Sequence, residues 1–264
     1  PDLDTVMYTL AGLSNPETGW GLSNETYNTL GMLGTFGAPT WFRLGDKDLA
    51  THIRRSELLR NGSTLSEVTT ELSLALGVSH PIVPMSDGRI RTIVVTNKGR
   101  LPLQDYFVRL RFEPAVSDVS FDGVNEALPS KGFSQALEKS ASLVLCPSNP
   151  FLSIGPILAI PGVRQRLTTF PGRRITISPI IAGSAVHGPA GQMMLDMGHD
   201  VSPIGIAKLY RGICDVFIID HLDQHLKPQI EKLGMRVEIT STIMKTIADK
   251  IKLATDVLRI INEP

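Results

Sequence analysis

The stretch SLVLCPSNPFLSIGPILAIPGVRQRLTTFPGRRITISPII, residues 142–181, carries two short apolar runs separated by a longer segment. SLVLC (142–146) and RITISPII (174–181) are nearly uninterrupted apolar runs, as strands buried on both faces of a parallel sheet must be. SIGPILAIPGVRQRLTTF, between them, contains helical stretches, so the order is strand, crossover helix, strand. The alternation continues downstream, where DVFIID (215–220) reads as a third buried strand and RVEIT (236–240) as a fourth. GPAGQMMLDMG and DHLDQHLKPQIEKLG supply helical segments among them. The closing TSTIMKTIADKIKLATDVLRII sets Ile243, Ile247, Ile251, Ala254 and Leu258 at three- and four-residue steps, with Lys245, Asp249, Lys252 and Asp256 off that stripe. This spacing predicts a surface helix whose isoleucine stripe packs on the core. The fold class is therefore α/β, a mostly parallel sheet with helices on both faces.

Residues 61–125 read differently. STLSEVTTELSLALG has the form of a capped helix, and RTIVVTNKGRLPLQ is a hairpin signal around Asn97, Lys98 and Gly99. No linker-like change of composition marks either edge, so the segment reads as an inserted α/β lobe within a single domain covering residues 1–264.

The chain has 264 residues, with 26 basic and 26 acidic side chains. That balance offers no charge excess to hold a nucleic-acid backbone or an anionic membrane, so recognition of phosphate has to be local. Cys146 and Cys214 lie beside apolar runs, the setting of buried free thiols, and point to a reducing, cytosolic environment. No stretch has the length of a membrane span or the form of a signal peptide. HExxH, paired CxxC, GxSxG, the Walker loop and GxGxxG do not occur, which removes the usual supports for zinc hydrolysis, thiol chemistry, P-loop transfer and plain NAD chemistry.

Four places carry polar groups in patterns that suit a ligand. In PDLDTVMYTLAG, Asp2 and Asp4 stand where a helix begins and where its free N–H groups favour carboxylates. Both are caps on one reading; on the other, Asp4 faces a ligand or a magnesium ion, which prefers oxygen donors. LCPSNPFLSIGP leaves a buried strand with Ser148 and Asn149 at the turn, and a helix follows near Ser153. In a doubly wound sheet ligands bind beyond the carboxyl ends of strands, although a Pro-rich turn capping a helix explains these residues equally well. IAGSAVHGPAGQMM repeats the logic, with Gly183, Gly188 and Gly191 allowing close backbone approach and Ser184 and His187 adding polar tips. His187 is either a base or a hydrogen-bonding loop residue. RLGDKDLATHIRRSELLR packs Arg43, Asp46, Lys47, Asp48, His52, Arg54 and Arg55 around a helix starting near Asp46 or Asp48, with Leu49, Ile53 and Leu58 as its apolar complement. A solvated, ion-paired helix face gives the same pattern.

Seven blocks in order, PDLDTVMYTLAG, WGLSNETYNTLGMLG, TWFRLGDKDLATHIRRSELLRNGSTLSEVT, PMSDGRIRTIV, LPLQDYFV, CPSNPFLSIGPILAIPGVR and SPIIAGSAVHGPAG, together resemble the 2-phospho-L-lactate transferase family of deazaflavin coenzyme biosynthesis. The resemblance implies a Rossmann-like, cytoplasmic and usually dimeric enzyme. Its reaction would move a phospholactyl or phosphoenolpyruvyl group from a guanosine diphosphate-linked donor onto a ribityl hydroxyl of the deazaflavin FO, with GMP leaving and Mg2+ assisting. It places FO contacts, and a catalytic or metal-binding role, on Asp4, and a second FO contact on Arg43. Loop placement assigns Ser148, Asn149, Gly188 and Gly191 to the donor nucleotide, and Asp46 and Asp48 are weaker metal candidates. Family members ordinarily carry a strand and a GGTG-type loop ahead of PDLD, which this sequence does not contain, so transfer by these residues alone is not expected. The alternative is a non-catalytic nucleotide-sugar-binding regulator of the same core, which would keep the glycine loops and lose the acceptor pocket.

Overall fold

The computed structural model describes residues 2–263. Its chain opens with four helices, α1 (Leu3–Leu10), α2 (Asn28–Thr35), α3 (Asp46–Arg60) and α4 (Leu65–Ala75). A three-stranded antiparallel sheet of β1 (Arg91–Thr96), β2 (Gly99–Pro102) and β3 (Val116–Asp122) follows, in the order β2-β1-β3, and then α5 (Lys131–Lys139). The remainder alternates: β4 (Ser142–Leu145), α6 (Gly155–Ala159), α7 (Val163–Thr168), β5 (Arg173–Ile177), a small hairpin of β6 (Ile180–Ile181) and β7 (Ser184–Ala185), α8 (Ala190–Asp196), α9 (Pro203–Leu209), β8 (Val216–Asp220), α10 (Lys227–Glu231), β9 (Arg236–Thr240) and α11 (Ile247–Asn262).

Strands β4, β5, β8 and β9 lie side by side in that order, all parallel. Successive residues of a strand face opposite sides, and the burial follows that period. Ile175, Ile177, Val216 and Ile218 pack on Leu253, Val257 and Ile260 of α11. Phe217, Ile219 and Val237 point the other way, into a larger core with Val163 and Leu167 of α7, Ile206 and Tyr210 of α9, and Ile230 of α10. All three crossovers therefore cover one face, while α11 covers the other. Each fully buried side chain of this size contributes about 1.5–3 kcal/mol relative to exposure.

Polar pins fix the strand starts and helix ends. Arg174 donates from its backbone N–H and its Nε to Asp215 at 3.0 and 2.9 Å, and its Nη1 bonds the carbonyls of Leu167, Thr168 and Gly212 at 2.9, 3.0 and 3.0 Å. One guanidinium thus ties β5 to the start of β8 and satisfies carbonyls at the end of α7. Asp215 is held below the ordinary carboxylate range by that same hydrogen bond. Thr64 with Glu67 and Thr246 with Asp249 form capping boxes at the starts of α4 and α11.

Several expectations change here. The stripe of α11 that meets the sheet is Leu253, Val257 and Ile260, whereas Ile247, Ile251 and Leu258 are exposed. The helix bears two apolar stripes, and its phase is set by the cap at Thr246 and by the Thr240 hydroxyl donating to Asp256 at 2.5 Å. RITISPII is not one strand: β5 stops at Ile177, because the Ser178 hydroxyl takes the Ile180 N–H at 3.2 Å and Pro179 has no N–H to give a neighbour. The Pro203–Leu209 helix, capped by Ser202, adds an element that the sequence reading did not name. Cys214 is buried, and its thiol is pushed up to about 11 by burial, but Cys146 at the end of β4 is exposed. The helical turns after β4 begin at Pro150 with Asn149 as the cap, three residues ahead of Ser153.

Candidate active site

Two sites hold the candidate residues. The first is built on α1 and α3. Asp2 caps α1, accepting from the N–H groups of Asp4 and Thr5 at 3.0 Å each, and so leaves Asp4 free of that task. Asp4 is ion-paired with Arg55 of α3. One and two turns back along α3 from Arg55, His52 and Asp48 share a face, with His52 Nε2 3.8 Å from Asp48 Oδ1. The fully buried Tyr8 donates its hydroxyl to the same Asp48 oxygen at 2.9 Å. Burial raises the carboxyl of Asp48 and the phenol of Tyr8 above their ordinary values. One ligating atom from each of Asp4, Asp48 and His52 lies within 4.8 Å of the others.

The start of α3 is capped from a distance. Gly45 offers no side chain, and Glu25 accepts the N–H groups of Lys47 and Asp48 at 2.9 and 2.8 Å. A Cβ on Gly45 would sit 2.2 Å from the Glu25 carboxyl carbon, so an alanine here would displace the end of that side chain; the glycine's φ is an ordinary −78°. Glu25 also lines a small cavity of about 20 Å³ with Trp20, Tyr27, Arg43, Gly45 and Asp48. The Arg43 guanidinium stands 4.3 Å from the centre of the Tyr27 ring, a cation–π contact that holds a positive charge in the cavity wall. The structure therefore brings Arg43 and Asp48 to one cavity and Asp4 to Asp48.

Asp46 has a different occupation. Its carboxylate accepts the Thr26 hydroxyl at 2.5 Å and the N–H groups of Asn28 and Thr29 at 3.0 Å, capping the start of α2. Those bonds, the Thr26 hydroxyl first, hold its carboxyl well below the ordinary value. Both of its oxygens are thereby engaged.

The second site is a cleft of about 150 Å³ beyond the carboxyl ends of β4, β5 and β9, where Asn149, Ser178, His187, Thr242 and Met244 are among the walls. Asn149 lines it, yet its Oδ1 accepts the N–H groups of Phe151 and Leu152 at 2.9 and 3.0 Å, so its carbonyl serves as a helix cap. Ser148, Gly188 and Gly191 adjoin wall residues in sequence. Gly188 has a φ of +72°, which only glycine adopts freely, whereas a Cβ on Gly191 would meet its neighbours at an ordinary 3.5 Å. Sequence reasoning passed over Glu25, Tyr8, Ser178, Thr242 and Asp220. The one available signal was the acidic residue closing the apolar run DVFIID.

The profile of the 2-phospho-L-lactate transferase CofD family matches residues 1–257. The chain belongs to the 2-phospho-L-lactate transferase family. It is 38% identical over 254 residues to the 2-phospho-L-lactate transferase of Methanosarcina acetivorans, covering 96% of this chain and 82% of that protein. It is 37% identical over 262 residues to the enzyme of that name from Methanocaldococcus jannaschii, covering 98% and 83%. The solved structure of protein BH3568 from Bacillus halodurans superposes with a TM-score of 0.62 at 15% identity, covering 96% of this chain and 82% of that one, a likeness of fold. Family membership makes the chain a transferase. No helix among the described residues is long and apolar enough to cross a membrane.

The donor set on α1 and α3 fits a small divalent cation. Arg55 and Tyr8 each engage one oxygen of Asp4 and Asp48 respectively, and the other oxygen of each carboxylate has no hydrogen-bond partner among the described residues. Carboxylate oxygens are the ligands that Mg2+ selects, and the imidazole of His52 would lie outside that preference.

Proposed function

We propose that this enzyme transfers a 2-phospholactyl or phosphoenolpyruvyl group from a guanosine diphosphate-linked donor to the deazaflavin FO and releases GMP. The observation that carries the proposal is the pairing of Asp4 with Asp48 beside the cavity bearing Arg43 over Tyr27, because a hydroxyl acceptor needs a carboxylate near its oxygen and a cation near its polar ring edge. In this reading FO lies against Asp4 and Arg43, and the donor nucleotide occupies the cleft next to Asn149, with Ser148, Gly188 and Gly191 contributing backbone. The ribityl oxygen attacks the phosphorus that bears the lactyl or enolpyruvyl oxygen. A new P–O bond forms there, the bridging P–O bond to GMP breaks with its electron pair, and the ribityl proton passes to a carboxylate or to water. Asp4 orients the hydroxyl, Arg43 holds the acceptor ring, and Tyr8 and Arg55 keep the two carboxylates in place. Mg2+ bound by Asp4 and Asp48 would neutralise charge on the transferring phosphoryl group, the largest contribution in reactions of this class. The proposal extends to a cytoplasmic homodimer, which light scattering on purified protein tests.

The decisive experiment incubates the full-length protein with FO, Mg2+ and each guanylylated donor. Stoichiometric GMP and a phospho-acylated deazaflavin support the proposal. GMP release without FO, or no product with either donor, overturns it.

A further inference from the structure

We infer that Ser178 and Thr242 form a hydrogen-bond acceptor floor that seats the nucleoside end of the donor, with Asp220 as the positioning residue; this rests on reading the cleft as the donor site. Ser178, Thr242 and Asp220 are all more than nine-tenths buried, and Ser178 and Thr242 line the cleft. A hydroxyl has one proton and two lone pairs, so the partner that takes the proton fixes what the oxygen can still do. Ser178 donates its proton to the Ile180 carbonyl at 2.8 Å. Thr242 donates its proton to Asp220 Oδ2 at 3.2 Å, and its backbone N–H reaches the same oxygen at 2.8 Å. Asp220 closes β8, and its other oxygen accepts the Leu222 N–H at 3.1 Å. Both hydroxyls spend their protons on the protein; Thr242 keeps its lone pairs for a ligand, and Ser178, which also accepts the Ile180 N–H at 3.2 Å, keeps one.

Lone pairs repel phosphate oxygens and bind N–H or O–H groups, and the carboxylate of Asp220 behind Thr242 adds to that repulsion. The end of a nucleotide rich in donors is the nucleoside, through the N–H groups of its base or the hydroxyls of its ribose. The phosphates must then point away from the Ser178–Thr242 floor, toward the loops after β4 and around Gly188. The segment after β9 is well placed to act as a wall because Thr240, Thr242 and Thr246 pin it to Asp256, Asp220 and Asp249.

Calorimetric titration of the protein with GMP, IMP, deoxy-GMP and inorganic pyrophosphate tests this. Thr242→Val is expected to weaken GMP by about tenfold, the value of one well-made hydrogen bond, with pyrophosphate unchanged. Thr242→Ser keeps the hydroxyl and should restore GMP binding, which separates the effect from misfolding. Asp220→Asn, whose amide can itself donate, should also weaken GMP selectively, because the Thr242 proton is no longer committed. In the wild type, weaker IMP assigns the donor to the base, weaker deoxy-GMP assigns it to the ribose, and the matching gap should close in Thr242→Val. GMP binding that ignores Thr242, or that falls together with pyrophosphate binding, overturns the inference and leaves the donor-site reading standing. A wild type that binds neither GMP nor pyrophosphate overturns both.

Discussion

Replacing Asp4 by asparagine removes one charge while keeping the shape of the side chain, and the structure bounds what that costs the fold. In the first turn of α1 a carboxylate gains about 0.3–1 kcal/mol from the helix N-terminus. The ion pair with Arg55 has side chains 19% and 20% exposed, so it is less screened than an open surface pair, and such surface pairs reach about 0.2–1 kcal/mol. The two together give about 0.5–2 kcal/mol of stability, a loss that urea unfolding resolves. A carboxylate that meets the reacting hydroxyl or its metal is worth more, about a hundredfold in turnover, or about 2.7 kcal/mol. The two roles separate in a double-mutant cycle with Arg55→Met. If Asp4 serves only as the partner of Arg55, Asp4→Asn costs nothing further in rate once Arg55 is gone. If it is a ligand residue, the loss of about a hundredfold persists in the Arg55→Met background. Steady-state GMP release with varied Mg2+ is the assay. An Asp4→Asn protein with unchanged rate and unchanged magnesium dependence would refute the reasoning and return Asp4 to the helix start.

Arg43→Ala should weaken FO binding by about tenfold, the scale of one charge-assisted hydrogen bond, with GMP affinity unchanged; calorimetry showing the reverse would exchange the two sites. Gly45→Ala should push Glu25 off the N–H groups of Lys47 and Asp48 and lower stability by about 1–2 kcal/mol, the value of a helix cap; an unchanged thermal midpoint would show that Glu25 finds another pose. The Asp46 carboxyl lies below its ordinary value of 3.8 in the folded chain, so the unfolded chain binds that proton first. Its contribution is present above the ordinary value and is lost as pH falls from there toward the lower folded one; Asp46→Asn should therefore flatten the acid limb of a urea-midpoint-against-pH curve, and an identical limb would dismiss the cap.

The parallel strands were legible as short apolar or β-branched runs between turn residues: DVFIID is buried from Val216 onward, SLVLC is apolar but only half-buried, and RITI alternates, with Ile175 and Ile177 on one face and Arg174 and Thr176 on the other. What periodicity left undetermined was phase. The α11 segment supports two stripes, and only the capping box at Thr246 and the bond from Thr240 to Asp256, made between segments, choose Leu253 over Ile251. The end of β5 was hidden for a similar reason, since Ser178 turns the chain through a side-chain bond. At the site, Asp4, Asp48 and Arg43 stood out as charges at helix starts and in a loop. Their supports did not: Tyr8 meets Asp48 across 40 positions and Arg55 meets Asp4 across 51, distances over which no local spacing speaks. Asn149 was visible as a cap and as a ligand residue, and the structure gives its carbonyl to the cap.

The two sites differ in how their geometry is enforced, and this governs what their variants report. The cleft sits where parallel strands release their loops, and its floor residues Ser178 and Thr242, with Asp220 behind Thr242, are buried at the ends of those strands. A change there alters the packing that holds the sheet, so binding must be read against stability. The proposed acceptor side is carried by helices, and α2, held at its start by Asp46, buries none of its own residues, while Arg43 rests on Tyr27 in a loop. Loss of Arg43 empties no core and strands no buried donor, so its effect should fall on the ligand with the fold left intact. Asp48 belongs to both regimes, a pocket wall that also satisfies the buried hydroxyl of Tyr8. Its replacement by alanine would leave that hydroxyl without its acceptor, a cost of about 1–3 kcal/mol, and would remove a carboxylate from the site as well. Asparagine at position 48 keeps an acceptor for Tyr8, so any rate lost by Asp48→Asn with stability retained belongs to the charge alone.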